Sequence, residues 1–306
     1  MIGSQEATCQ QRPVRLQGIE NPRFTTSSLF RLYHLFSYVL FEELGDHTSA
    51  LATATAPDLG SLRIAAPDDL LRIGIVAVAG FQSSPFFPWE RPFHAKYPED
   101  TLASYCTQFK AHIQSDEFVV LVQEAAYEPS EGQETKAVIP PDNGWTPPDA
   151  GEMVVVGVMS LKLEPNSPRR GQFKNRNGSY PHLLNNARRD LNQRHCDLWS
   201  RVSGDVKKRH CDGYSVVNML VVHPAYWKRG HGTALARCAM DLSDRYHIPQ
   251  CVSTTPMSEG LFVGLGFQKI CLIVVKRDAE DAGDAEDAEG VSAALLTYCG
   301  KLPSNV

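Results

Sequence analysis

The 306-residue chain holds eight cysteines, at 9, 106, 196, 211, 238, 251, 271 and 299, yet no C-x-x-C pair. Closely spaced cysteines are the usual sign of a zinc site, so no metal centre is expected. Scattered thiols read as reduced, mostly packed side chains of an intracellular, cytoplasmic protein. The opening MIGSQEATCQQRP lacks a basic segment followed by an apolar run, so no signal peptide is expected. The most apolar early stretch, 29–44, is interrupted by Arg31, His34, Glu42 and Glu43 and is too short and polar to span a membrane. Positive charge is not in excess. The net charge of -5 speaks against general nucleic-acid binding. Internal repeats are absent. No G-x-G-x-x-G follows a strand and no G-x-x-x-x-G-K-[ST] occurs, which excludes the common dinucleotide and P-loop signatures.

What the chain does have is the stretch 214–235, YSVVNMLVVHPAYWKRGHGTAL. Residues 216–222 are rich in β-branched side chains and read as a strand. Pro224 cannot donate to a ladder and ends it. Arg229, Gly230, His231 and Gly232 then form a basic glycine loop, with a helix opening near Thr233. A helix N-terminus offers unpaired N–H groups and the positive end of its dipole, which suit a phosphate anion. Glycines let the backbone approach such a ligand closely. The loop therefore points to a cofactor bearing pyrophosphate.

The six positions Trp227, Lys228, Arg229, Gly230, His231 and Gly232 resemble the acetyl-CoA loop of the GNAT family of N-acetyltransferases, [QR]-x-x-G-x-[GA]. That loop follows a strand ending in V-x-P, here Val222, His223 and Pro224. Trp227 departs from the usual Gln or Arg. A second block, 258–267, resembles the family's late helix and its closing Y-x-x-L-G-F. Leu265, Gly266 and Phe267 match, and Phe262 replaces the tyrosine. The resemblance implies an α/β GNAT acyl-CoA N-acyltransferase fold, with a mixed, mostly antiparallel central sheet flanked by helices.

Along the chain, residues 1–60 read as an N-terminal helical extension and linker. A helix is expected over 28–44 from Leu29, Leu32, Phe36, Leu40 and Leu44, followed by an Ala/Thr-rich linker. The GNAT domain is expected over 61–306. It begins with a short strand at 62–65, a helix over 70–81, an aromatic loop at 84–89 and a helix over 101–114. Strands are expected at 118–124 and 154–163, joined by a polar surface loop at 128–151. Residues 165–210 form a basic insertion with a helix expected over 182–202. Either a lid for an anionic acceptor or a solvated helix face fits its charge. An acidic loop at 279–290 separates strands at 269–277 and 291–298.

The resemblance implies transfer of acetyl from acetyl-CoA to an amine acceptor, a small molecule or a peptide, in a ternary complex. It places the pyrophosphate on backbone N–H groups of Lys228, Arg229, Gly230, His231, Gly232, Thr233 and Ala234. The pantetheine and thioester fall on Leu220, Val221 and Val222, where an N–H serves as oxyanion donor. An alkylamine is neutral in only about one molecule in 10³ at pH 7, so a proton must be removed. The family's strand glutamate is Asn218 here, which can position a water but cannot act as a base. Asp212, His210, His223 and Glu259 remain as bases by sequence proximity. Phe262 cannot protonate the leaving thiolate. The two missing proton-transfer residues leave a non-catalytic acetyl-CoA-binding regulatory protein as the alternative. No nucleic acid or membrane partner is implied, and the oligomeric state is not encoded in any motif.

Overall fold

The computed structural model describes residues 61–183, 185–276 and 290–300. The expectations for 1–60, and for all but the last residue of the acidic 279–290 segment, lie outside the described residues. Among the described residues seven strands form one sheet in the order β1-β2-β3-β4-β5-β7-β6. They are β1 (Leu62–Ile64), β2 (Phe118–Ala126), β3 (Met153–Lys162), β4 (Ser215–Val222), β5 (Gln250–Thr254), β6 (Gln268–Val275) and β7 (Val291–Tyr298). Every neighbouring pair is antiparallel except β4 and β5. This is the mixed, mostly antiparallel sheet that the resemblance implies.

Among the described residues six α-helices accompany the sheet: α1 (Leu70–Phe81), α2 (Phe86–Glu90), α3 (Pro98–Gln114), α4 (Gln193–His210), α5 (His231–Tyr246) and α6 (Pro256–Gly264). On one face, α5 and α6 bury Leu235, Ala239, Leu242 and Phe262 against Val156, Val217, Val222 and Leu296. On the other, α1 and α3 cover Val120, Val122, Val158 and Val221. The fourth helix adds Trp199, Val202 and Val206 over Cys251, Ile273 and Leu295, at the β6 side of the sheet. Gly80 lets α1 reach the end of β4, since a Cβ there would meet Val221 Cγ2 at 2.3 Å and the Val222 carbonyl oxygen at 2.7 Å.

Four expectations need correction. The insertion helix begins at Gln193, not 182, because Asn192 caps it by accepting the His195 N–H at 3.2 Å. The aromatic loop at 84–89 contains the short helix α2, held by the Phe86–Trp199 ring contact at 4.5 Å. The helix of the glycine loop starts at His231, with Gly230 rather than Thr233 at its edge. The polar segment 128–151 is not all surface. Glu131 and Trp145 turn inward because Arg72, buried on α1, needs a counterion and an aromatic face.

Candidate functional site

Two irregularities coincide at Asn218. Parallel pairing of β4 with β5 runs only through Val217↔Val252. On the other side, Met219 pairs with Ser160 and Val217 with Leu161, so Asn218 is the extra residue of a β-bulge. The bulge reverses the alternation of faces. Before it, Val217 points to the α5 side; after it, Leu220 and Val222 do. Among the described residues, β4 from Asn218 onward is paired on one edge only. Asn218 itself is exposed.

Strand geometry decides which backbone groups face the gap. The His223 N–H donates to Val156 O at 2.9 Å, toward β3. Successive residues alternate edges, so the N–H and C=O groups of Leu220 and Val222 point away from β3, into the gap. Those of Val221 point toward β3. Trp227 agrees with this orientation, since its indole Nε1–H donates to the Val222 carbonyl at 2.7 Å. The tryptophan thus satisfies the last strand carbonyl, and the Leu220 N–H and C=O and the Val222 N–H face the gap with no partner among the described residues.

The glycine loop follows directly. Lys228 and Gly230 sit in the left-handed region, at φ 61° and 88°. A Cβ on Gly230 would meet nothing within 4 Å, so glycine is needed there for its backbone angle and not for space. The first bond of α5 is the Ala234 N–H to Gly230 O, at 2.9 Å. The N–H groups from Gly230 to Thr233 precede it, and among the described residues no side chain caps them. Their dipole end and their donors fit a pyrophosphate. A Cβ on Gly232 would lie 3.7–3.8 Å from Leu261, Leu220 and Val222 side chains, which ties the loop to the strand and to α6.

A buried polar network supports this loop from below. Arg72, on α1, pairs bidentately with Glu131, and Arg72 Nη2 lies 2.8 Å from Glu131 Oε2. Its Nε–H donates to Val155 O at 2.7 Å, and its guanidinium lies 4.7 Å from the Trp145 ring centroid. The Tyr226 hydroxyl donates to Glu131 Oε2 at 3.0 Å and accepts the Glu128 N–H at 3.0 Å. Burial works to raise the Glu131 pKa, but the Arg72 hydrogen bonds and charge prevail and hold it below the usual carboxylate value. At the surface, Arg229 bridges Glu128 and the Ala225 carbonyl. A lone charged residue in the apolar helix 70–81 and a glutamate in a polar loop were the sequence signals for this network. Neither reveals a partner without the fold.

The four bases named from the sequence are scattered. Asp212 is exposed and precedes the first residue of β4. At least five residues of strand, roughly 17 Å, separate it from Leu220. His210 ends α4 at the same far end. Glu259 pairs with Lys269 at 2.9 Å. His223 is buried, accepts the Ala225 N–H at Nδ1 and has its pKa driven down to about 4 by burial. It is therefore a neutral turn residue at pH 7. Asn218 is the one catalytic candidate that the fold brings to the gap. Phe262 is buried against Phe267. Several of the insertion's cations are paired, Arg169 with Glu164, Arg170 with Glu117 and Arg189 with Asp100. Among the described residues no cluster could hold a metal ion, and no helix is long and apolar enough to cross a membrane.

No family model matches the chain. The chain is, however, 31% identical over 245 residues to an acetyltransferase of Stachybotrys chartarum, spanning 77% of this chain and 94% of that one. The chain belongs to the GNAT acetyltransferases. Similar solved structures include the histone acetyltransferase HPA2 and related acetyltransferase of Corynebacterium glutamicum, at 13% identity, 80% and 98% coverage and a TM-score of 0.46. The ribosomal-protein-S18-alanine N-acetyltransferase of Escherichia coli matches at 10% identity, 80% and 97% coverage and a TM-score of 0.37. Superpositions this loose add nothing to the assignment.

Proposed function

We propose that this protein is an N-acetyltransferase that moves the acetyl group of acetyl-CoA to a primary amine of a small molecule or peptide, with both substrates bound together. The observation that carries the reading is the coincidence at Asn218. The same residue ends the β4–β5 pairing and forms the bulge, so free strand edge opens beside a bare helix N-terminus. The uncapped N–H groups of Gly230–Thr233 hold the pyrophosphate. Lys228 flanks it with positive charge, while Arg229 is paired with Glu128. The Leu220 N–H and C=O and the Val222 N–H hold the pantetheine amides and polarise the thioester carbonyl. Such a donor contributes about 10²–10³ in rate in other enzymes. Asn218 positions a water that takes the amine proton. The Tyr226 hydroxyl is engaged by Glu131 and Phe262 has none, so the leaving thiol takes its proton from solvent. Its pKa near 8.5 makes that tolerable.

Free thiol release from acetyl-CoA across an amine panel tests the proposal: release that requires an amine supports it. A second reading, acetyl-CoA binding without turnover, is favoured by the same two observations at Phe262 and Tyr226. Saturable binding with no release from any amine would select it. The unpaired thiols suit a reducing, cytoplasmic setting.

A further inference from the structure

The turn after β2 reaches across to the glycine loop and holds one of its two cations. The turn has a firm base. The Tyr127 N–H donates to Glu152 O at 2.7 Å and the Gly151 N–H to Tyr127 O at 3.0 Å, which continues the β2–β3 ladder past Ala126. The Glu131 N–H donates to Glu128 O at 2.9 Å. From this base both carboxylate oxygens of Glu128 meet the Arg229 guanidinium, with Glu128 Oε2 at 3.3 Å from Arg229 Nη2. The same Nη2–H donates to the Ala225 carbonyl at 2.8 Å. The guanidinium also lies 5.3 Å from the ring centroid of Tyr226, which is buried. Lys228 differs in every respect. It is exposed and has no ion pair among the described residues.

We propose, resting on the reading of this segment as the acetyl-CoA loop, that the Arg229 side chain is a positioning residue and not a phosphate ligand. Clamped by Glu128, it holds the loop in the shape that receives the pyrophosphate, and Lys228 is the loop cation that meets the phosphates.

The backbone explains why the loop needs a clamp. Arg229 stands between two left-handed residues, Lys228 at φ 61° and Gly230 at φ 88°. A lysine in that region costs free energy, so the unclamped loop has reason to relax. The one side chain between the two positions is the one tied to a separate strand connection. An isolated surface ion pair holds little, but here the pair is bidentate and shares its guanidinium with a carbonyl and a ring. To reach a phosphate, Arg229 would have to leave all three. A loop already held in its binding shape takes its ligand more tightly than one that must first be ordered.

The test is calorimetric titration of acetyl-CoA into the full-length protein, as wild type, Glu128→Ala, Arg229→Gln and the double variant. Charge alone predicts opposite signs: removing a carboxylate near the loop tightens the binding of an anion, and removing a guanidinium weakens it. A clamp predicts one sign for both. Each single variant should bind about threefold to fivefold more weakly, the range that an exposed pair of good geometry supports. The double variant should bind no more weakly than Arg229→Gln. Lys228→Gln should weaken binding by the same factor in wild type and in Glu128→Ala, since it is not part of the clamp. The melting temperature without ligand should stay within about 2 °C of wild type; a larger fall would make the pair a general structural tie and count against the proposal. Glu128→Ala that binds as tightly as wild type, or more tightly, would overturn it whether or not Arg229→Gln folds. Single losses that multiply in the double variant would overturn it as well. In either case wild type still binds, and the cofactor reading stands without the clamp. Wild type that does not bind acetyl-CoA would remove that reading and the clamp together.

Discussion

Replacing Glu131 with alanine leaves the Arg72 guanidinium without its counterion, in a place where it cannot reach water. The Arg72 side chain is only 4% exposed and that of Glu131 7%. Breaking a buried pair by removing one partner costs about 3–5 kcal/mol, because the remaining charge is uncompensated. The Tyr226 hydroxyl loses its acceptor as well. For a domain of this size the cost corresponds to a fall of about 6–20 °C in melting temperature. The Val155 carbonyl and the Trp145 ring still contact Arg72, which favours the lower end. The assay is urea unfolding of Glu131→Ala beside the double variant Arg72→Met/Glu131→Leu. The double variant should recover most of the loss, since a packed apolar pair of similar volume replaces a buried ion pair at little cost. The Glu131 pKa is held low in the fold, so its contribution is complete above the unfolded value near 4.5 and disappears as pH falls through the folded value. The gap between wild type and Glu131→Ala should therefore narrow below about pH 4.5. A single variant within about 1 kcal/mol of wild type at pH 7 would refute the argument, as would a double variant no better than the single.

Three further outcomes follow from the site. Gly230→Ala should lose about 1–2 kcal/mol of stability from backbone strain alone, because the site has room for the methyl group; a loss below about 0.3 kcal/mol in thermal unfolding would contradict it. Asn218→Ala should slow acetyl transfer by about 10² while leaving acetyl-CoA affinity within about twofold, and equal steady-state rates would remove Asn218 from the mechanism. His223 and His112 titrate near 4 in the fold against 6.5 unfolded, each chiefly through burial. The unfolded chain therefore takes up protons first, so stability is full above pH 6.5 and falls as pH drops toward 4. A urea midpoint that stays flat between pH 7 and pH 4.5 would show that these rings are not buried neutral.

The sheet strands and the glycine loop were legible because each carries a local signature. Runs of β-branched residues mark β2, β3 and β4, and Pro224 and Gly230 mark the turn. The start of α4 was misplaced because its apolar period, Trp199, Val202 and Val206, begins only after the first turn; the true boundary is an Asn192 side-chain cap, a signal one residue wide. Asn218 was singled out as a departure from a family pattern. That it is a bulge residue depends on the register of β3 and β5, which only long-range pairing sets. Trp227 looked like a weakness in the motif. In the fold its indole donor satisfies the Val222 carbonyl, a role that a long polar side chain could also play. Arg72 and Glu131 are 59 residues apart in sequence, and no local pattern links them.

The most direct test of the central claim is calorimetric titration of acetyl-CoA into wild type and Gly232→Trp, with circular dichroism to establish that both are folded. The indole should fill the space between the α5 N-terminus, Leu220 and Leu261. Saturable binding to wild type at one site per chain, lost in the folded variant, is the predicted result. Wild type that does not bind, or a folded Gly232→Trp that binds as tightly as wild type, would contradict the account.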